Sequence, residues 1–263
     1  MPIDQDGLWE DSESRVLGMV SMRAASLSGT ILDIPNVQAC WVPMRTYIGA
    51  GTTIQQADPV GQHALTANNG VTDGTQQNAK TFEIAYLNLA SASSQYLSRA
   101  HEYALVPIDA GNFSFGIWIN PTTLPAGANI MGVIGKGTDA LANRCWFVYF
   151  GSDGIPRFRV YNAGGATTDA ISTVAMSAGS WYFIQCRLRA STEMAIFVNG
   201  TKVSNTTSIP AAARNIASEF SIGRLDAAAY LNAKVGAAYL SGSVLSDKTM
   251  IATFNKMRVF YGV

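Results

Sequence analysis

Apolar and polar side chains alternate with a period of two along most of the chain from about residue 60 onward. In "FSFGIWI" (113–119), Phe113, Phe115, Ile117 and Ile119 share one face and Trp118 stands on the other, the pattern of a packed strand. "RFRVY" (157–161) alternates Phe158 and Val160 with outward Arg157 and Arg159. "WYFIQCRLR" (181–189) sends Tyr182, Ile184, Cys186 and Leu188 inward, while Gln185, Arg187 and Arg189 face out. "WFVYF" (146–150), "FSIGR" (220–224) and "KVGAAYL" (234–240) read as further strands. In "IFVNGTKV" (196–203), Asn199-Gly200 separates two alternating runs and suits a type I′ turn, whose central residues both need positive φ. Pairing across that turn puts Ile196, Val198, Thr201 and Val203 on a dry face, with Phe197 and Lys202 on a partly wet one. Asp153-Gly154 marks a second turn. Strands this closely spaced, with Gly and Asn turns and almost no helix between them, predict two antiparallel sheets packed face to face.

The pattern changes at both ends. "LSDKTMIATFNKM" (245–257) has the period of a short helix, with Ser246 as N-cap, Asp247 in the first turn, and Met250, Ile251, Phe254 and Met257 as its apolar stripe. "RVFYGV" after it reads as a last strand. Residues 1–50 do not alternate cleanly, and Pro35 and Pro43 interrupt them. They read as an N-terminal extension, partly helical or irregular, ahead of a domain over 51–263. Trp9 and Trp41 are its candidate anchors for a partner; equally, both could plug the end of this chain's own core.

Composition narrows the function classes. Eighteen basic and eighteen acidic side chains give a net charge of zero, which removes the electrostatic case for nucleic acid or an anionic membrane surface. Charged residues make up 14% of the chain, against roughly 25% in a typical soluble domain, so much of the surface is neutral. Cys40, Cys145 and Cys186 cannot all pair within one chain and form no metal-spaced cluster, so buried free thiols are expected. "MPIDQDGLWEDSESR" opens acidic, without the basic and apolar regions of a secretion signal, and no run of 18 apolar residues is present to span a membrane.

"SSQYLSR" (93–99), "FSFGIWINP" (113–121), "IGKG" (134–137), the Asp153-Gly154 turn, "WYFI" (181–184), "IFVNG" (196–200), "FSIGR" (220–224) and "LSDKTMIATFN" (245–255) together resemble the laminin-G-like branch of the concanavalin A-like jelly rolls, in order and spacing as well as content. The resemblance covers roughly residues 55 to 257, with "GTTIQQADPVGQHALTANNGVT" (51–72) similar to the family's opening strand. It implies an all-β fold, a two-sheet antiparallel jelly-roll sandwich of concanavalin A-like type, to which the pattern of residues adds an N-terminal extension and a short C-terminal helix.

The family includes glycoside hydrolases, which set paired carboxylates on one strand at i, i+2. Here the dense acidic cluster is Glu10, Asp11 and Glu13, outside the predicted sheets, while Glu83, Glu102, Asp109, Glu193 and Glu219 stand apart. His63 and His101 read as surface or loop residues without a nucleophile beside them. No catalytic residue is assigned, and the chain reads as a non-enzyme. The resemblance also implies calcium at the sandwich rim, for which Asp58, Asp109 and Asp226 lie in predicted loops; turn formation explains the same residues. For a sugar the candidate rings are Tyr161, Tyr230 and Tyr239, and the best loop pair is Tyr230 with Asn232 in "DAAAYLNAK". Trp118, Trp146 and Trp181 sit in apolar runs and read as core.

A fold usually found outside cells, with unpaired thiols, no export signal and a preceding arm, suits a non-catalytic structural protein of a bacteriophage virion, in capsid decoration or in the tail. Such a protein assembles in the host cytoplasm. Its expected partners are copies of itself and other virion proteins, reached through the arm, and not nucleic acid or membrane. The alternatives are a carbohydrate-binding module for host attachment, with cell-surface glycan as partner, and a glycoside hydrolase with a degenerate site.

Overall fold

The structure is a computed structural model and describes residues 30–31, 33–48, 51–57, 63–77, 83–102, 105, 111–127, 129–137 and 141–263. These form sixteen strands and one long helix. In chain order the strands are β1 (Val37–Ile48), β2 (Gly51–Ala57), β3 (Thr66–Asn68), β4 (Thr72–Gln77), β5 (Glu83–Leu89), β6 (Tyr96–Arg99), β7 (Asn112–Pro121) and β8 (Met131–Lys136). They continue with β9 (Trp146–Phe150), β10 (Pro156–Tyr161), β11 (Thr167–Ile171), β12 (Tyr182–Arg189), β13 (Glu193–Val198), β14 (Thr201–Asn205), β15 (Phe220–Ile222) and β16 (Ala233–Ser241). The helix α1 (Asp247–Tyr261) follows the last strand.

Two antiparallel sheets result, as the alternation predicts. The nine-stranded sheet runs β14-β13-β12-β7-β16-β1-β2, with β5 and then β4 attached to β16 at its other end. The seven-stranded sheet runs β11-β10-β9-β8-β15-β6-β3. Their facing sides are the inward rows of each strand. Phe113 and Phe115 meet Trp146 and Phe158 there, with ring centroids 4.7 to 6.2 Å apart. Each of these rings is fully buried, which places the largest hydrophobic stabilisation between the sheets.

Residues 37–48, read from sequence as part of a separate arm, are β1: its first half pairs with β16 and its second half with β2. β1 and β2, on either side of the division read at residue 50, pair with each other. The two prolines hid the strand, and Pro43 sits where pairing with β16 has already ended. Trp41 is an inward residue of this strand. It is fully buried, stacks 4.9 Å from Phe220, and donates from Nε1 to the His63 carbonyl at 2.7 Å. It fills this chain's own core and offers no surface to a partner. Trp9 lies outside the described residues.

A second apolar layer lies behind the nine-stranded sheet, under α1. Trp118 is sandwiched between Phe183 at 4.8 Å and Tyr261 at 4.0 Å, with interplanar angles of 9° and 8°. Ser246 caps the helix by accepting from the Thr249 N–H, and Met250, Phe254 and Met257 point down as the helical period predicts. Ile251 departs from that stripe and is exposed. The predicted last strand over "RVFYGV" is helix as far as Tyr261, because Tyr261 completes the stripe and its hydroxyl accepts from the Ala237 N–H. The helix also covers the outward side of β12. Gln185 and Arg187 face away from the inter-sheet core but are buried beneath α1, as is Phe197 of β13. Arg187 is satisfied by Glu193 at 2.6 Å and Asp247 at 2.5 Å, and Gln185 donates to the Tyr239 hydroxyl at 3.1 Å. All three cysteines are free and buried. Among the described residues no helix is long and apolar enough to cross a membrane.

Candidate binding face

The outer side of the seven-stranded sheet carries half-buried polar and aromatic residues that a ligand could meet. Register places one residue from each strand in a single row across it: Asp169, Arg159, Phe147, Gly135, Ser221, Ser98 and Thr66. The centre of that row is small. A Cβ at Gly135 would meet the Trp146 carbonyl at 2.6 Å and Phe147 Cβ at 2.7 Å, so the shallow floor is a steric requirement of the sheet.

The segment 223–231 leaves β15 and folds back over one half of this face. Its two limbs bond to each other through an Arg224–Tyr230 bridge, Leu225 N to Ala229 O at 3.2 Å and Leu231 N to Gly223 O at 2.9 Å. Gly132 N on β8 donates to Ala229 O at 3.0 Å. A Cβ at Gly132 would lie 2.5 Å from the Arg224 carbonyl carbon, so only glycine lets the segment rest on the sheet. Leu225 and Ala229 then cover Phe147, Tyr149 and Tyr161 in a small apolar cluster.

This arrangement delivers four side chains to one place. The guanidinium of Arg224 lies 4.2 Å from the centre of the Tyr96 ring, and the Tyr230 ring stands 6.0 Å from Tyr96 at 46°. Arg224 also donates to Glu219 at 2.6 Å, while Ser221 Oγ donates to the Arg224 carbonyl at 3.0 Å and holds the turn. All four side chains are half-buried. Two rings, a planar fork of donors and a carboxylate acceptor form an angled platform, already held in place by backbone hydrogen bonds.

Of the sequence candidates, Tyr230 is in this platform and Asn232 is not. Asn232 Nδ2 donates to Thr123 Oγ1 at 2.9 Å, and the Asn232 carbonyl accepts from Thr122 N, so it latches a neighbouring turn. Tyr161 and Tyr239, the other candidate rings, are buried. Asp226 accepts from Ala228 N within its own turn and pairs with Arg144 at 3.0 Å, as a turn-forming aspartate does. Asp58 and Asp109 lie outside the described residues, as do Glu10, Asp11 and Glu13. No group of three metal-ligating side chains gathers among the described residues. Tyr96, Arg224 and Glu219 were not singled out from the sequence. Tyr96 and Arg224 lie in "SSQYLSR" and "FSIGR", where the strand pattern masked them.

The two histidines each find a partner near the other end of β6. His63 Nδ1 is 2.7 Å from Glu102 Oε2, and Arg99 pairs with the same carboxylate, whose pKa is lowered first by Arg99 and then, against burial, by His63. His101 contacts Lys136 Nζ at 2.9 Å, and the buried Lys136 also donates to the Ser218 carbonyl at 2.7 Å. Burial lowers the pKa of both His101 and Lys136, and their proximity adds to the effect on His101. These contacts tie the loop at 63–64 to the sheet, so the histidines serve as structural fasteners.

Comparisons with known proteins agree with the architecture. A laminin-G-like family profile described as the concanavalin A-like lectin/glucanases superfamily matches residues 91–249. No curated protein matches the chain in sequence. Among solved structures, the binding domain of Paraclostridial Mosquitocidal Protein 1 is similar at 14% identity and a TM-score of 0.63, over 86% of this chain and 55% of that one. The binding domain of botulinum neurotoxin DC in complex with rat synaptotagmin II gives 15% identity and 0.57, over 78% and 49%. The same domain in complex with SialylT gives 14% and 0.55, over 78% and 48%. The chain thus spans about half the length of these structures, and the likeness at this identity is one of fold. Stacked antiparallel sheets, the helix behind them and the profile match together place the chain in the concanavalin A-like lectin/glucanases superfamily.

Proposed function

We propose that the protein is a non-catalytic recognition module that binds glycan on the outer face of its seven-stranded sheet. The observation that carries this reading is the Tyr96–Arg224–Tyr230 platform with Glu219 beside it. Half-exposed rings offer apolar faces to a sugar ring, while the guanidinium and carboxylate match its hydroxyls. Among the described residues, four acids around this face are each paired with arginine: Asp153 with Arg157, Asp169 with Arg159, Asp226 with Arg144, and Glu219 with Arg224. A carboxylic acid and a partnering base, as glycoside hydrolysis needs, are not formed by such pairs. Similarity to binding domains supports the same reading. A glycan array followed by titration tests it. Saturable binding that weakens at least tenfold in Tyr230→Ala, with an unchanged melting profile, is the expected result; retained binding in that variant overturns it.

For the setting of this module, the bacteriophage virion is the second reading, and the three buried free thiols favour it, since they suit folding in a reducing compartment. Mass spectrometry of purified particles decides it: the chain is expected at stoichiometric copy number, and its absence from particles overturns that setting.

A further inference from the structure

The charges of the face restrict which glycan it takes, an inference that rests on the reading of the face as a glycan site. Arg224 is the arginine within the platform, and its guanidinium already meets the Glu219 carboxylate at 2.6 Å while lying 4.2 Å from the centre of the Tyr96 ring. The neighbouring arginines are engaged in the same way. Arg144 meets Asp226 at 3.0 Å, Arg157 meets Asp153 at 2.5 Å, and Arg159 grips Asp169 with two bonds of 2.7 Å. Arg214 directs its donors to the carbonyls of Leu141, Ala142 and Asn162. A carboxylate or sulfate arriving at Arg224 would confront Glu219 across the same guanidinium, at separations where like charges repel strongly in a half-buried site. A pair of neighbouring hydroxyls meets no such conflict. One hydroxyl accepts from Arg224, the other donates to Glu219, and the sugar ring rests against Tyr96 and Tyr230.

We propose that the platform selects a neutral saccharide presenting a vicinal diol and rejects acidic sugars, with Glu219 as the discriminating residue. The test uses the full chain against an array of neutral, sialylated, uronic and sulfated oligosaccharides, with calorimetric titration of the strongest of each class. Wild-type protein is expected to bind neutral members at least tenfold more tightly than acidic ones. The neutral affinity should change by less than roughly twofold as sodium chloride rises from about 50 to 500 mM, because no net charge is neutralised on binding. Glu219→Gln, which keeps the shape and removes the charge, should weaken neutral binding several-fold and raise acidic binding about tenfold. Preference of the wild type for acidic glycans, with binding abolished by Tyr230→Ala, overturns the selectivity and leaves the face intact as a glycan site. Neutral binding unaffected by Glu219→Gln likewise overturns it. No binding by either class, or binding indifferent to Tyr230→Ala, overturns the glycan site and the selectivity together.

Discussion

At the scale of single residues, two glycines show different reasons for having no side chain. Gly200 follows Asn199 in the β13–β14 turn, with φ of 81° after 49°, and a Cβ there would also stand 3.2 Å from the Phe254 ring. Gly200→Val is expected to cost about 1 kcal/mol or more, read as a lowered urea midpoint at constant m-value. Gly132 needs no unusual φ; it is small because the 223–231 segment lies on it. Gly132→Ala should cost about 1–3 kcal/mol by overpacking, and it should also weaken glycan binding by displacing Arg224 and Tyr230. Wild-type affinity in a folded Gly132→Ala protein would refute the dependence of the platform on this contact. The first glycine is legible in sequence, because a turn depends on adjacent residues. The second is silent there, because its neighbour comes from a distant part of the chain. Tyr230 was recognisable as a ring in a polar loop, whereas Tyr96, Arg224 and Glu219 gained meaning only when the loop brought them together.

At the scale of elements, α1 and the back of β12 depend on each other. Arg187, nearly fully buried, is held by Glu193, Asp247 and the Leu245 carbonyl, which link β12, β13 and the start of the helix. Arg187→Ala removes the most buried partner of Glu193, leaving it Lys202 and Ser204, and should cost about 3 kcal/mol in chemical denaturation. Pairing it with Glu193→Gln should recover part of that loss, and the absence of recovery would show that packing alone accounts for the cost. Alternation assigned the two faces of β12 correctly but said nothing of what covers them. A polar residue at every second position is consistent with water or with a paired layer, and here the layer is the helix. The same limit explains why "RVFYGV" looked like a strand: six residues of mixed polarity fit two periods equally until Tyr261 meets Trp118 and the Ala237 amide.

At the scale of the whole molecule, the charge network between sheet and helix sets how stability responds to acid. Burial alone would raise the pKa of Glu193, but hydrogen bonds from Lys202, Ser204 and Arg187 outweigh it and bring it down from 4.5 to about 2. Asp247 shifts in the same direction: burial opposes the shift, and Lys202 and Arg187 overcome it. A carboxylate with a depressed folded-state pKa contributes stability that is fully present above its unfolded value and is lost as pH falls through the folded one. Calorimetric melting should therefore decline gently as pH falls below about 6.5, where His101 takes up a proton on unfolding, and fall steeply below about pH 4.5, with Glu193 accounting for about 2–3 kcal/mol of the loss. Glu193→Gln should flatten that slope, and an unchanged slope would assign acid sensitivity elsewhere. By itself the sequence determined the two antiparallel sheets, the Asn199-Gly200 and Asp153-Gly154 turns, the helix start at Ser246, the buried thiols and the family, because each follows from neighbouring residues or from a repeating period. Only the tertiary structure decided that β1 belongs to the sheet, that the outward side of β12 is covered, and which rings remain at the surface. Those outcomes depend on which distant segments pack together, and local periodicity carries no record of that.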